Sequence, residues 1–599
     1  MPPASPGPPP SGQAREGRYA RWIELNGRSG APISVSPVHR LRISGPGPAV
    51  LSALPIDARP ASRARGEAIL QGRWRFGAAL VETPPGHAPW GPEFPSFHFA
   101  DQIHRFGWLR DLAACGADGQ AHACALSAAW IAQYGKWDDF AWRLSLSADR
   151  LIHILSAGPW LFEGLPGADR DSLLESLGRH IRHLLFMGPE ETDPVSRFRI
   201  AVALCLAGAA SSDGGRALEA GLGMLEAECA AQILADGGHI SRSPEQLAQA
   251  LIDVQAVEDL MLRLGMSAPA FLTRLQPRMA AMLSFFQTRD GGLLPANGGG
   301  DASDGLARLA LRPHGALSAR FAFARLSAYQ RIQAGDLTVY IDAGAAPPRP
   351  HGGRAHAGAL ALHVDDGPGR IITSCAASAE SDPELREAAR RTAAHSVLCL
   401  NGEDSAPFMP DPLTGLSSPE GPAQLAVRRL EEADQLLLEG QHGGWRDRYG
   451  LIYRRRIFVA MDGSRLTGED SLFRPMSGAG ENAKGAAVPY AIRFHLHPDV
   501  EVRQGPDERT LFLGLPMRRR IWRFRSEALL CLEESRYWGG GTARRTRQIV
   551  IRADADPSAD GSLPPNRVRW ALSLVEPGED ETGPDETGPD ETGPDETGV

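Results

Sequence analysis

Two hydrophobic periods divide this chain. From about Pro95 to Ala328 apolar residues recur at helical spacing, and from Leu337 onward they alternate with polar ones. In the first stretch Phe99, Ile103, Phe106 and Leu109 form one apolar stripe, which predicts a single helix. Ser172, three residues before Glu175, gives a capping-box signal ahead of Leu173, Leu174, Leu177, Ile181 and Leu184. Further stripes run through 198–208, 217–234, 246–265 and 270–286, with Gly or Pro at the turns between them. Successive helices without intervening strands predict stacked helical hairpins, closed as a toroid or open as a solenoid.

The period-2 runs are Leu337–Ile341, Ala359–Val364, Ser396–Leu400, Leu451–Met461, Ala491–Val502 and Val568–Leu574. Strands spaced this way predict a large antiparallel β-sandwich. The fold class is therefore α+β and multidomain, an N-terminal helical unit followed by a C-terminal sandwich. The cleft where two such layers meet is the usual place for a ligand.

Length agrees, because 599 residues exceed what one core supports. The expected divisions are a Pro/Arg-rich, poorly ordered region over 1–70, with one short helix near Tyr19–Leu25, and a helical domain over 71–330. A sheet domain over 335–576 and an acidic, disordered tail over 577–599 follow. Hydrophobic residues make up 42% and charged residues 23% of the chain, an ordinary globular balance. No window approaches the roughly 18 apolar residues that read as a membrane span. The first residues, MPPASPGPPPSGQAREGR, do not follow the basic-then-apolar order of a secretory signal, which points to the cytoplasm.

Charge changes the picture only at the end of the chain. The net charge is -9, but Asp-Glu-Thr-Gly occurs four times, beginning at Asp580, Asp585, Asp590 and Asp595. Two acids in each of four copies account for eight negative charges, so the remainder is close to neutral. No nucleic-acid partner is expected. The seven cysteines are scattered and none forms a CxxC pair, which argues against a disulfide framework or a thiolate zinc site.

Candidate chemistry concentrates between His351 and Ser405. His356 and His395 sit in short alternating runs on either side of a Gly/Pro turn and a Ser/Ala-rich loop. Neighbouring antiparallel strands can present two such imidazoles to one site. This segment resembles the opening of the sheet domain of the heparinase II/III family of polysaccharide lyases. PSFHFADQIHRFGWLRDLAACG (95–116), LADGGHISRSPEQLAQALIDV (234–254), RDRYGLIYRRRIFVAMDGSRLTGEDSL (446–472) and WRFRSEALLCLEESRYWGGGTARRTRQIVI (522–551) extend the resemblance, which covers about Gly72 to Leu574. It implies an α/α toroid followed by an antiparallel β-sandwich and β-elimination on an acidic, uronic acid-containing polysaccharide. It also implies the periplasm or cell envelope, against the cytoplasmic reading of the N-terminus.

Elimination requires neutralising a carboxylate, removing a proton and protonating a leaving oxygen. The family performs this with an Asn, a Tyr and a His, commonly beside zinc. Carried over, the Asn position falls at Val195-Ser196, the Tyr at Gln246 and the catalytic His at Arg354. Gln246 can hydrogen-bond but is no general acid, and Arg354 stays protonated. His356 and His395 match zinc-ligand positions, and Ser374 stands where the resemblance implies a carboxylate. That is one short of the three protein ligands zinc generally takes.

Other residues carry open alternatives. His239 and Arg242, after the turn at Asp236, either face the cleft or satisfy a tight backbone turn. Arg391 either contacts an acidic polymer or decorates a solvated edge. The triplets Arg454–Arg456 and Arg518–Arg520 alternate sides, with one member of each toward solvent, and His495 and His497, on one sheet face, either add to a metal or sugar site or form a surface pair, the reading favoured. Trp108, Trp130, Trp137 and Trp142 are core residues or sugar platforms.

Two functions follow. One is a lyase with a displaced residue set, in which His239 or His356 is the base and Arg242, Gln246, Arg354 and Arg391 bind substrate. The other is a catalytically degenerate relative that binds an acidic glycan without cleaving it. A third, an interaction protein recruiting partners through its termini, is favoured less. Oligomeric state is left open.

Overall fold

The computed structural model describes residues 33–575 apart from 34, 49, 92–93, 303–304, 316–320, 378–380, 475–485, 541, 560 and 563. The expected helix near Tyr19–Leu25 and the acidic tail lie outside the described residues. Where the sequence reads as unpatterned before residue 70, there are two short helices, Pro37–Ile43 and Arg63–Leu70. A hairpin of Arg73–Phe76 and Ala79–Glu82 precedes the main helices.

The chain folds as an α/α toroid followed by a two-sheet antiparallel sandwich. Helices Pro194–Ala210, Gly215–Gln232, Pro244–Arg263 and Ala270–Phe286 match the four apolar stripes closely. From Ile200 to Ala210 every residue of the first is buried, as expected of a helix at the centre of a helical array. Its neighbour packs nearly backbone to backbone against it: a Cβ on Gly221 would lie 2.6 Å from the Cys205 nitrogen. Two expectations are corrected. The stripe through Phe99 and Leu109 is broken into helices Phe97–His104 and Trp108–Ala113, with Phe106 between them at φ 65°. Ser172 lies inside helix Gly167–Met187 and donates to the Ala168 carbonyl at 2.9 Å, so it caps nothing.

A chain of alternating charges runs through the toroid. Arg59 joins Asp57 to Asp253, Arg199 joins Asp253 to Asp149, Arg105 joins Asp149 to Asp101, and Arg143 closes on Asp101. Burial alone would raise the carboxyls of Asp57, Asp101 and Asp149, but the arginines beside them hold all three well below the usual range.

The sandwich pairs an eight-stranded sheet with a nine-stranded one. The first runs, in spatial order, 426–431, 435–442, 452–460, 465–473, 567–574, 520–526, 510–515 and 501–504. The second runs 531–537, 544–555, 488–496, 369–373, 362–366, 337–342, 329–334 and 323–324, with 398–400 also paired to 488–496. Leu438, Ile457, Phe494, Phe524 and Trp570 fill the space between them. Of the arginine triplets, Arg455 points inward: its Nε meets Asp470 at 2.7 Å while its Nη1 donates to the carbonyls of Leu360 and Ser396. Arg518 and Arg520 both pair with Asp336 and Asp366, leaving Arg519 at the turn with φ 52°. His495 and His497 are buried, which corrects their reading as a surface pair.

Tyr329 and Tyr340 stand on the sandwich but pack into the helical core, edge-on to Phe286 and Phe285. Trp108, Trp130 and Trp142 are fully buried there too, so they are core residues rather than sugar platforms. Among the described residues no helix is long and apolar enough to cross a membrane, and every cysteine is a free thiol.

Candidate functional site

A cleft opens where the toroid meets the sandwich. From the toroid come Asp193, Pro194 and Val195 at the start of the central helix, Gln232 at the end of its neighbour, and then His239, Ser241 and Gln246. The sandwich supplies Pro350, His351, Gly353, Arg354 and Leu416. Helix starts shape the toroid side. Asp193 caps its helix by accepting from the Ser196 nitrogen at 3.0 Å, and Ser243 caps the helix that carries Gln246. Between them Gly237, at φ 92°, lets the chain turn tightly; a Cβ there would sit 2.2 Å from the Arg278 carbonyl oxygen.

On the sandwich side, His351–Arg354 is one turn of 3₁₀ helix. Residues three apart eclipse in such a turn, which sends His351 and Arg354 to the same side. Sequence reasoning missed His351, although the HGGR spelling held that signal. Among the described residues, the Arg354 guanidinium, the His351 ring and the Gln246 amide have no hydrogen-bond or ion-pair partner. Burial lowers the His351 pKa, against the pull of Glu228 and Asp193.

His239 lines this cleft, but its ring is spent. The Ser241 N–H donates to Nδ1 at 3.1 Å, so the proton sits on Nε2, which faces the Gln232 carbonyl oxygen at 3.1 Å. Burial, then the charges of His351 and Arg354, push its pKa down to about 3. A base needs a free lone pair, and His239 offers none; that expectation is corrected. Asp236 of the same turn accepts from the backbone nitrogens of Leu326 and Ser327 at 2.9 and 2.8 Å. The structural alternative describes this turn.

Arg242 lies beside the cleft, not in it. Its guanidinium donates to the carbonyls of Ser327, Ala328, Gly344 and Ala345 and pairs with Asp342, while stacking 4.8 Å over Tyr329. Substrate binding by Arg242 is corrected: all its donors are used in joining toroid to sandwich. Asn297 completes this seam by donating to the Tyr329 hydroxyl at 2.6 Å and accepting from the His356 nitrogen at 3.0 Å. Arg391 is likewise committed, to Glu387 and to Asp404, with Phe408 beneath it. It does not line the cleft.

His356 and His395 do meet, with ring centroids 5.1 Å apart, but both are buried away from the cleft. His356 Nε2 accepts from the Gly298 N–H at 2.8 Å, so His356 is no catalytic base. His395 Nδ1 lies 3.0 Å from the Ser374 hydroxyl, whose oxygen is 3.4 Å from His363 Nε2. Burial pushes both His363 and His395 down to about 3. The third imidazole, His363, went unread in the sequence. The donor set does not fit zinc: one nitrogen of His356 is occupied by backbone, Ser374 replaces the carboxylate, and no group of three His, Cys, Asp or Glu converges among the described residues.

Val195, Gln246 and Arg354 thus converge, far apart in sequence, at the positions where the resemblance puts reacting groups. Residues 316–571 match the family described as Heparinase II/III-like, C-terminal. FtsZ-localized protein C of Caulobacter vibrioides (strain NA1000 / CB15N) is 31% identical over 547 residues, covering 90% of this chain and 92% of that protein.

The chain belongs to the heparinase II/III family.

Solved structures agree on the architecture of a heparinase II/III protein. Heparinase III overlays with a TM-score of 0.64 at 13% identity, covering 90% of this chain and 89% of that one. The heparan sulfate lyase HepC of Pedobacter heparinus overlays at 0.52 and 14% identity, covering 90% and 87%. Identities this low carry the fold alone.

Proposed function

We propose that this protein is a heparinase II/III relative whose interdomain cleft binds an acidic glycan segment and does not cleave it. One observation carries the reading. The three positions that would supply the reacting groups line a single cleft as Val195, Gln246 and Arg354, and the cleft's buried histidine, His239, has both ring nitrogens engaged. His351 keeps a free ring, but among the described lining residues no group stands with it to protonate a leaving oxygen, so what is left is a binding surface. Arg354 offers a forked pair of donors to a carboxylate or sulfate, Gln246 offers an amide, and Pro350 and Leu416 offer apolar contact to a sugar face.

Titration calorimetry with heparan sulfate oligosaccharides tests this. Binding by the full chain that falls at least about tenfold in Arg354→Ala, the size of a lost charge-assisted contact, supports the reading. Equal binding by both proteins, or none by either, contradicts it.

A second reading concerns place rather than ligand. The relative named FtsZ-localized protein C matches over nearly the full length of both chains, which supports association of this protein with FtsZ assemblies. A fluorescent fusion that follows FtsZ and disperses on FtsZ depletion is the expected result; a distribution indifferent to FtsZ rejects it.

A further inference from the structure

The outer face of the eight-stranded sheet carries charge that the cleft does not use. Strand alternation turns Leu466, Trp522, Phe524, Trp570 and Leu572 inward and their neighbours outward. Arg454, Arg465, Arg523, Arg525, Arg567 and Arg569 all stand on this outward side. Register brings them together: Ser573 lies between Arg465 and Arg523, Ser471 lies between Arg454 and Arg567, and Ala571 is opposite Arg525. At about 4.8 Å between strands, the backbones of Arg465 and Arg523, and of Arg454 and Arg567, stand roughly 10 Å apart.

Few acids answer this charge. Glu439 pairs with Arg456 at 2.5 Å, and Glu469 is shared among Arg456 at 3.5 Å, Arg567 at 3.9 Å and Arg569 at 3.1 Å. The Arg465 and Arg525 guanidiniums are exposed and have no hydrogen-bond or ion-pair partner among the described residues, although Arg525 interacts with the Asp507 carboxylate through space. An exposed face with this excess of one sign attracts a polyanion.

The sequence itself contains a polyanion. From Glu576 to Val599 there is no lysine or arginine, and Asp-Glu pairs recur every five residues from Asp580 to Asp595. The chain enters this segment from strand Arg567–Leu574, which carries Arg567 and Arg569 of the basic face. One five-residue repeat, extended, advances about 16 Å, close to the width of the four neighbouring strands 452–460, 465–473, 567–574 and 520–526 that carry these arginines. Acidic pairs at that interval can therefore reach successive arginines without a fixed register.

We propose that the acidic segment 576–599 occupies the arginine-bearing outer face of the eight-stranded sheet and screens it from other polyanions. The occupant is held by exchangeable, solvent-exposed ion pairs, each weak alone and effective because the segment is tethered beside its site. This does not depend on what the interdomain cleft binds.

The test uses two full-length chains, the native one and one whose repeat Asp and Glu residues are changed to Asn and Gln. The probe is a fluorescent peptide with the sequence of residues 577–599. The neutralised chain should bind it, and the native chain should bind it at least about tenfold more weakly, because a tethered competitor acts at an effective concentration on the order of a millimolar. In the neutralised chain, Arg465→Glu with Arg525→Glu should weaken binding about tenfold, and added salt should weaken it further. Arg525→Gln alone, a milder change at an exposed position, should weaken it about threefold. Equal binding by the native and neutralised chains overturns the proposal, as does failure of the neutralised chain to bind. So does indifference to the arginine changes. Heparin or anionic phosphatidylserine vesicles binding native and neutralised chains equally would assign the face to an external polyanion and overturn the tail as its occupant.

Discussion

The seam and the cleft are neighbouring parts of one interface, and they treat their polar groups in opposite ways. In the seam, Arg242 has Asp342 and four carbonyls, and Asn297 ties Tyr329 to the backbone of His356. In the cleft, Arg354, His351 and Gln246 line the cavity with no partner among the described residues. Buried polar groups are normally satisfied, so a saturated arginine reports on assembly and an unsaturated one on a ligand. Two arginines that look alike in sequence thus do different work, and partner inventory tells them apart.

The largest expected effect is at the seam. Asp342→Ala leaves the buried Arg242 charge unpaired and should cost about 3–5 kcal/mol in denaturant unfolding. Asp470→Ala, which strips the partner of Arg455 between the sheets, should cost a similar amount. A loss of about 1 kcal/mol or less at Asp342 would erase the distinction between seam and cleft.

Acid should act next. His239, His363 and His395 have pKa values lowered to about 3 in the folded state, so they are neutral when folded and charge when unfolded. Their contribution is complete above the unfolded value near 6.5 and is lost as pH falls from there toward 3. Each should remove about 1.4 kcal/mol per pH unit in that window. Asp57, Asp101 and Asp149, held low by arginines, add a further loss as pH falls below about 4. Stability that stays level between pH 7 and pH 5 would show that the histidines are not buried as neutral rings.

The cleft should respond in binding and not in stability. Arg354→Ala should change unfolding by no more than about 0.5 kcal/mol, since no pair is broken. The smallest effect is at His351. An anion bound beside it favours the imidazolium, so glycan affinity should rise as pH falls through the titration of His351, by about two- to threefold. His351→Ala should flatten that pH profile without abolishing binding.

The fold was legible because period is a strong signal. The four stripes from 198 to 286 became helices within a few residues, and Leu337–Asp342 is a strand as expected, although the sheet begins earlier, at Phe323–Ala324 and Tyr329–Ala334. Cys531–Tyr537 went unread because glutamate and arginine interrupt its apolar count, and strand Arg520–Ser526 was read only at its first residue, through the triplet Arg518–Arg520. At the site, the positions aligned through the resemblance, Val195-Ser196, Gln246 and Arg354, contribute Val195, Gln246 and Arg354 to one cleft lining. The sequence did not separate Arg242 from Arg354. Their roles depend on carbonyls contributed by Ser327, Ala328, Gly344 and Ala345, and backbone acceptors leave no mark in residue identity. The His356–His395 contact was foreseen, but not that Gly298 and Ser374 would engage the rings.

Whether the cleft binds or cleaves is decided by following ultraviolet absorbance of unsaturated uronate while the purified full-length protein is incubated with heparan sulfate and other uronic acid polymers. No rise above the protein-free control, under conditions where calorimetry detects Arg354-dependent binding, is the predicted result. A steady rise that is lost in His239→Ala or Arg354→Ala would contradict it and make this protein a lyase with a displaced residue set.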